Sequence, residues 1–317
     1  MFTFFDRLPE LIRVVVKVSI LLCILLIFAT SGCQSVWKQP FPDAEIVYQT
    51  GSFDQPQLGF VRADGSNPVL LETGVYLMKT TWSLAGDRIY ALSRGGQAIV
   101  FGYPAYWEPD GKFKKCREWF NYEQIEEVVR ADGSKQALIL STKVIQLADL
   151  DRCKSIEVLV DIFEHGELII FGASYSPDGR WLLYGLETGQ GLPAASIYQL
   201  MKMDLKTHQA VELAKGVNPS WSPDGLQIAY VQADGIYIMN ADGSQPRQVV
   251  NHIFVNEYGN FGFPPILRWS PDGKWIVYHR CEKYSCIVYE NTIYKVETAT
   301  GKEVKIIEGG AFPDWRR

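Results

Sequence analysis

Three aspartates occupy the same place in a repeated turn, and their carboxylates are the first candidates for chemistry. Asp178, Asp224 and Asp272 each follow a Ser-Pro pair and precede a glycine. Carboxylates at a fixed spacing can ligate a cation or act as general acid and base, but each can also accept hydrogen bonds from its own turn. Because the turns lie in separate copies of a repeat, we do not expect the carboxylates to converge, and we predict a structural role. The same role is predicted for the aspartates of three further Asp-Gly turns, Asp64, Asp132 and Asp242.

Histidines are the second candidates for chemistry, because neutral imidazoles ligate metal ions. Three of the four histidines, His165, His252 and His279, fall on one face of the repeat described below. No His-x-His pair is present and no carboxylate partner tightens the cluster, so we predict no metal and no cofactor. The sequence also lacks a Gly-x-Ser-x-Gly elbow, a phosphate-binding loop and a dinucleotide fingerprint, which argues against peptidase and nucleotide chemistry.

The elements that position these residues recur along the chain every 46 to 48 residues. The repeat unit is an aromatic residue, a Ser-Pro-Asp-Gly turn and an apolar run, as in residues 269–278. Equivalent positions are Trp82, Val129, Tyr175, Trp221, Trp269 and Trp315. A sustained period in this range predicts a β-propeller with four strands in each blade.

The two ends of the repeat predict how the propeller is completed. Residues 46–71 contain three short β-like runs before the first copy of the motif, whereas one strand remains around Trp315. Together these strands make one blade, so we predict a single all-β domain over residues 45–317 with six blades. The last blade is then closed by strands from both termini, which pairs sheet edges that would otherwise be open to aggregation.

Strand order divides the connections between two faces of the predicted propeller. Turns between first and second strands, and between third and fourth strands, lie on one face, here called the turn face. Turns between second and third strands, and the blade-to-blade connections, lie on the opposite face, here called the loop face.

The blade-to-blade connection over residues 249–267 is rich in aromatic residues. Long loops on a rigid scaffold often carry binding, and exposed aromatic residues with arginine are typical anchors. The alternative is that these rings only fill the space above the fifth blade. The predicted partner-binding residues are Phe254, Glu257, Tyr258, Phe261, Phe263 and Arg268.

The first 33 residues indicate a targeting segment. Basic residues precede an apolar run at residues 18–29, small residues follow, and the next residue is Cys33. This end resembles a bacterial lipoprotein signal, in which the cysteine after the cleavage site receives lipid; an uncleaved membrane anchor and a plain secretory signal are the alternatives. Residues 34–44 then form a tether. All three possibilities place the domain outside the cytoplasm, in the cell envelope.

Four cysteines remain in the predicted domain, an even number that suits disulfide bonds in an exported protein. Residues 103–122 are interpreted as an insertion between the third and fourth strands of the first blade. Cys116 would then occupy a turn equivalent to that of Cys153 in the next blade, and we predict that these two residues pair. Cys281 and Cys286 flank a short second-to-third turn, and we predict the second disulfide there.

Composition limits the classes of partner. The formal net charge is −5 and basic residues do not form blocks, so a nucleic acid is not expected as a partner. The chain is expected to act as a monomer that meets the membrane through its amino-terminal lipid or anchor.

The Trp-Ser-Pro-Asp-Gly turns at residues 221–225 and 269–273, the variant at 175–179 and the hairpin at 240–244 resemble the repeats of TolB-type propellers. The resemblance covers residues 46–315 and implies a periplasmic binding protein that works with envelope lipoproteins. TolB proteins carry an additional amino-terminal α/β domain, which we do not expect here. The same propeller also serves as a non-catalytic domain of some peptidases and as the frame of certain lyases.

The sequence therefore favours a non-catalytic envelope protein that binds a protein, peptide or glycan on its loop face. The alternative is an enzyme, of the polysaccharide lyase or lactonase type, acting at the mouth of the central channel. Such an enzyme would draw on the polar residues near the ends of the inner strands, Glu126, Glu127, Arg268 and Asp314.

Overall fold

The computed structural model describes residues 44–52, 55–73, 76–82, 89–94, 102–107, 113–115, 125–130, 136–141, 143–149, 154–162, 168–188, 197–254, 264–281 and 290–316. Within these ranges, 24 strands form six four-stranded sheets, and all neighbouring strands run antiparallel. The expected all-β propeller with four-stranded blades is confirmed. Residues Asp43–Arg317 form one compact unit.

Five sheets are each built from four consecutive strands. The first sheet contains β4 (Tyr76–Trp82), β5 (Ile89–Arg94), β6 (Gly102–Trp107) and β7 (Phe113–Lys115). The second sheet contains β8 (Ile125–Arg130), β9 (Gln136–Ser141), β10 (Val144–Asp149) and β11 (Lys154–Asp161). The third sheet contains β12 (Ile169–Tyr175), β13 (Trp181–Thr188), β14 (Ile197–Asp204) and β15 (Gln209–Lys215).

The fourth sheet contains β16 (Val217–Trp221), β17 (Gln227–Gln232), β18 (Gly235–Asn240) and β19 (Arg247–Asn251). The fifth sheet contains β20 (Arg268–Trp269), β21 (Trp275–Arg280), β22 (Thr292–Glu297) and β23 (Glu303–Glu308). The turns predicted from Ser-Pro-Asp-Gly join the first strand to the second in the third, fourth and fifth sheets. The repeat therefore sets the phase of the strands.

The remaining sheet, here called the terminal sheet, draws on both ends of the described chain. Its strand order is β24-β1-β2-β3, with β24 at Gly310–Trp315, β1 at Ile46–Gly51, β2 at Pro56–Val61 and β3 at Val69–Glu72. Ile46 pairs with Trp315, and Thr50 pairs with Gly310. The strand expected around Trp315 thus hydrogen-bonds to the strand expected at Ile46.

The inner strands contact one another in the order β4, β8, β12, β16, β20 and β24, and β24 in turn contacts β4. Indoles of the repeat motif join neighbouring sheets. Trp269 Nε1 donates to the carbonyl of Ser220 at 3.0 Å, and Trp315 Nε1 donates to the carbonyl of Arg268 at 3.1 Å. The apolar core lies between sheets, as strands covered on both faces require.

One expectation about the first sheet is wrong. Gly102–Trp107 is the third strand and Phe113–Lys115 is the fourth, so residues 103–122 are not an insertion between those strands. Lys115 ends the fourth strand of the first sheet and Lys154 begins the fourth strand of the second, while Cys116 and Cys153 themselves lie outside the described residues. The aromatic residues from Tyr103 to Trp107 depart from the repeat motif, so in the sequence they suggest an added hairpin. In the structure this segment pairs with β5 as a regular strand of the sheet.

Candidate functional site

The repeated aspartates hold their own turns together. Asp224 Oδ1 accepts a hydrogen bond from the hydroxyl of Ser222 at 2.6 Å and from the N–H of Leu226 at 3.0 Å. Asp178 and Asp272 make the same contacts in the third and fifth sheets. Asp64 and Asp242 each accept from the backbone two residues ahead, while Asp132 lies outside the described residues. The described aspartates therefore stabilise their own turns through hydrogen bonds.

These turns predict how stability depends on pH. The serine hydroxyl, followed by backbone N–H donors, holds the pKa of Asp178, Asp224 and Asp272 below its ordinary value of 3.8. A carboxylate whose pKa is lower in the folded state stabilises the fold above its unfolded pKa, and this stabilisation is lost as pH falls through the folded pKa. We expect the melting temperature to decrease between about pH 5 and pH 2. Replacing all three residues with asparagine should flatten this decrease; an unchanged pH profile would contradict the assignment.

Asp314, a candidate acid at the channel mouth, is 1% exposed and joins two sheets. Its Oδ2 accepts hydrogen bonds from the Thr81 hydroxyl and the Trp82 N–H, both at 2.7 Å. Its Oδ1 lies 3.7 Å from Nε of Arg268, whose side chain is 14% exposed. Thus two of the four residues proposed for channel chemistry are engaged with each other and with the scaffold. Glu126 and Glu127 lie on β8, where the pairing with β9 shifts register.

His279, one of the three candidate metal-ligating histidines, is buried inside the propeller. It is 1% exposed, its Nδ1 accepts from the N–H of Phe312 at 3.4 Å, and the two rings are 5.0 Å apart. Burial lowers the pKa of its imidazole to about 3, so it stays neutral. His252 packs edge-on against Phe254, and His165 lies outside the described residues. In the part of the chain that the structure describes, no group of three His, Cys, Asp or Glu side chains could hold a metal ion.

The aromatic connection on the loop face is fixed to the scaffold where it begins. The N–H of His252 donates to the carbonyl of Asp234 at 3.1 Å, and the N–H of Phe254 donates to Ala233 at 2.8 Å. Phe254 packs against the core between the fourth and fifth sheets. Between these two residues, Ile253 leaves 64% of its surface exposed. The first turn of the connection therefore presents an apolar side chain from a rigid base.

The connection is fixed again where it ends. Asn218 on β16 donates from Nδ2 to the carbonyls of Pro264 and Pro265, both at 3.0 Å. Asn218 has a left-handed φ of 49°, which this polar residue tolerates better than most. Ile266 packs with Ala311 and Phe312, and Leu267 is buried. Both ends of the connection are thus held by backbone carbonyls and apolar contacts.

The structure places two of the six predicted partner-binding residues, Phe254 and Arg268. Both are partly buried, and both contact the scaffold. Glu257, Tyr258, Phe261 and Phe263 lie outside the described residues, so their role stays a prediction. The sequence did not point to Ile253 as a binding residue, because a single aliphatic residue in a loop forms no recognisable motif or period. Only the three-dimensional structure shows that its two neighbours are pinned while it is exposed.

Of the four cysteines of the predicted domain, Cys281 is described, and it is disulfide-bonded. Cys116, Cys153 and Cys286 lie outside the described residues, as does Cys33, so the pairings and the lipidation stay predictions. No helix among the described residues has the length and apolar character to cross a membrane.

Sequence comparison finds local similarity to two kinds of protein. The family described as the dipeptidyl peptidase IV N-terminal region matches residues 176–308. The Tol-Pal system protein TolB of Alcanivorax borkumensis is 34% identical over 89 residues, which cover 25% of this chain and 19% of that protein. Dipeptidyl peptidase 4 of Felis catus is 28% identical over 155 residues, or 44% of this chain and 20% of that protein. The matches thus span about a fifth of the length of each curated relative.

Structure comparison covers more of the chain. The crystal structure of TolB from Acinetobacter baumannii superposes with a TM-score of 0.62 over 86% of this chain and 66% of that one, at 13% identity. At 13% identity, this superposition supports a similarity of fold alone. The repeated turns, the four-stranded sheets and the local similarity to TolB agree with one another. The chain is a TolB-like β-propeller.

Proposed function

We propose that this protein is a non-catalytic binding or scaffold protein of the cell envelope, which recognises a protein, peptide or glycan through its loop face. The main support for this proposal is the connection from His252 to Leu267, which is fixed to the scaffold at both ends and exposes Ile253. A rigid base lowers the ordering cost of binding, and an exposed apolar side chain supplies contact area. We further infer that the six sheets are the blades of one ring, closed by β24 and β1.

The topology suits a chain anchored by its amino end. Ile46 pairs with Trp315, and the N–H of Arg316 donates to the carbonyl of Glu45 at 2.7 Å. In the other sheets the residue equivalent to Trp315 leads into a first-to-second turn, so the chain enters the propeller on the turn face. Ala44 and Glu45, to which the proposed tether leads, then lie on the face opposite the proposed binding surface. Envelope location is also what the similarity to TolB implies.

The rival function, a lyase or lactonase acting at the channel mouth, needs a group that is free to exchange protons with a substrate. Asp314 accepts two hydrogen bonds from the first sheet and lies beside Arg268. These contacts explain its burial without a substrate. The rival would then depend on Glu126 and Glu127, which occupy neighbouring positions of β8.

The proposed function predicts that loop-face substitutions abolish partner binding. The full chain, solubilised from the envelope in detergent, should retain a defined partner identified by mass spectrometry, or a glycan on an array. We expect Ile253→Ala, Tyr258→Ala and Phe261→Ala to weaken retention at least tenfold, since interface anchors contribute about 2 kcal/mol or more each. Leu226→Ala is the matched control, because Leu226 is 66% exposed but lies on the turn face. Equal retention by all variants would contradict the proposal, and turnover of a captured glycan would favour the rival.

A further inference from the structure

The terminal sheet ends in a strand with an open edge. Its strand order places β3 outermost, and no described strand pairs with the far side of β3. The N–H of Thr73 also donates to the carbonyl of Pro56 at 3.2 Å, so the pairing with β2 extends one residue beyond β3. An outermost strand carries a row of backbone N–H and C=O groups that can pair with another chain.

The ladder between β2 and β3 is regular, which distinguishes this edge from most of the others. Its four pairs, which begin at Val69 and end at Glu72, keep one register. In the second, third, fourth and fifth sheets, the register shifts where the outermost strand pairs with its neighbour. Bulges of this kind twist an edge and keep other chains from pairing with it. Along its described residues, β3 lacks that protection.

The side chains of this edge are apolar and exposed. Val69 leaves 41% of its surface exposed and Leu70 leaves 53%. Exposed aliphatic residues also occur on β11 and β15, where the ladders shift; these are Ile156, Val158 and Val211. Among the outermost strands whose exposure the structure describes, β3 therefore combines exposed aliphatic side chains with a regular ladder.

The hydrogen-bonding pattern determines which backbone groups of β3 point outward. In an antiparallel ladder, alternate residues direct both their N–H and C=O groups to the same neighbouring strand. Because the N–H of Thr73 donates to β2, Leu71 and Val69 also direct their groups to β2. The N–H and C=O groups of Leu70 and Glu72 then point away from the sheet. No described residue hydrogen-bonds to these four groups.

The space beside this edge is open on the side of the fifth sheet. Leu70 lines a cleft of about 580 Å³, whose other wall includes Ile307 and Glu308 of β23. No described residue that lines the cleft is a lysine or arginine. Glu72 is exposed, and it lies on the same face of β3 as Leu70 because the two are two residues apart. An added strand would thus meet an aliphatic side chain and, two residues away, a negative charge.

We propose that β3 is a strand-addition site, at which an extended segment of a protein partner pairs antiparallel with Leu70 and Glu72. Each of these two residues exchanges two main-chain hydrogen bonds with the residue that faces it. The partner residue facing Glu72 is basic, and the one facing Leu70, two positions later, is aliphatic, because opposite charges and apolar pairs stabilise facing positions. The site therefore takes a basic-x-aliphatic segment. It lies on the outer rim of the terminal sheet and goes beyond the loop-face function.

The probe is the peptide acetyl-Thr-Lys-Thr-Val-Thr-amide, titrated into the full chain in detergent and followed by ligand-observed NMR. We expect saturable binding with a dissociation constant on the order of 1 mM, because ordering a flexible peptide offsets much of its interaction energy. N-methylation of the valine removes an N–H that pairs with Leu70, and it should weaken binding at least tenfold. N-methylation of the central threonine is the matched control, since that N–H points to solvent, and it should change the affinity little.

Variants of the edge test the protein side of the contact. Leu70→Pro removes the outward N–H and keeps the ladder with β2, since an edge strand tolerates proline where its N–H would face solvent. It should weaken peptide binding at least tenfold without lowering the melting temperature. Leu70→Ala keeps the N–H and should weaken binding severalfold. Glu72→Lys should reverse the preference between this peptide and one that carries Glu in place of Lys.

The outcomes separate this site from the loop-face function. Absence of saturable binding, or equal effects of the two N-methylations, would overturn the strand-addition site and leave the loop-face function standing. A concentration-dependent dimer that Leu70→Pro dissociates would replace the partner segment by a second copy of this chain. Ile253→Ala should leave peptide binding unchanged, because Ile253 belongs to the aromatic connection and not to this edge.

Discussion

Deleting residues 310–317 is expected to abolish the cooperative thermal unfolding transition. This deletion removes β24, all six residues of which are buried, and it leaves β1 without its inner partner. Truncation of one buried Phe or Trp costs about 3–5 kcal/mol, and β24 carries both Phe312 and Trp315. The loss is therefore comparable with the whole stability of an ordinary domain, about 5–15 kcal/mol.

Circular dichroism during a thermal scan measures this effect. Deletion of Arg317 alone is the control, because it leaves every residue of β24 in place. A cooperative transition at the wild-type temperature in the longer deletion would show that the terminal sheet does not depend on its inner strand.

Replacing Asp314 with alanine should lower the free energy of unfolding by about 3–5 kcal/mol, which is a large loss for a single substitution. The change leaves the N–H of Trp82, the hydroxyl of Thr81 and the guanidinium of Arg268 without their shared acceptor between two sheets. Buried donors that lose their partner incur the full desolvation penalty. Urea unfolding of the wild-type and variant proteins measures the difference.

Thr81→Val provides the comparison for Asp314→Ala, since it removes one donor and keeps the carboxylate and its other contacts. A loss of about 1–2 kcal/mol is expected for it. The double variant should lose less than the sum of the two single losses, because both remove the same hydrogen bond. If Asp314→Ala lowered the free energy of unfolding by less than about 1 kcal/mol, the inter-sheet role assigned to this carboxylate would be wrong. A catalytic role for Asp314 would then have to be considered again.

The repeat made much of the fold predictable. Pro presets φ and Gly accepts a positive φ, so Ser-Pro-Asp-Gly forms its turn wherever it occurs, and the glycines at 179, 225 and 273 have φ near 70°. The first sheet was harder to predict. Its motif is degraded, and the aromatic residues of β6 resemble an added hairpin, because strand propensity does not say which strand of a blade a segment supplies.

The candidate site was less predictable than the fold. The aromatic connection could be recognised from composition, but the fixing of its ends depends on Asn218, which lies 46 residues before Pro264. From the sequence alone, Asp314 could be a catalytic residue, because nothing near it in the chain reveals its contacts with Thr81 and Trp82. Such contacts join positions more than two hundred residues apart.

The sequence by itself determined the local structure of this protein: the turns, the strand phase, the four-strand period and the structural role of the repeated aspartates. These depend on backbone geometry within a few residues, which residue type largely controls. The tertiary structure decided what each exposed or polar residue can do, because burial and partners arise from the packing of one sheet on the next. Gly59 shows the difference, since in sequence it is one glycine in a strand, whereas in the structure the ring of Tyr48 lies where a side chain of residue 59 would stand.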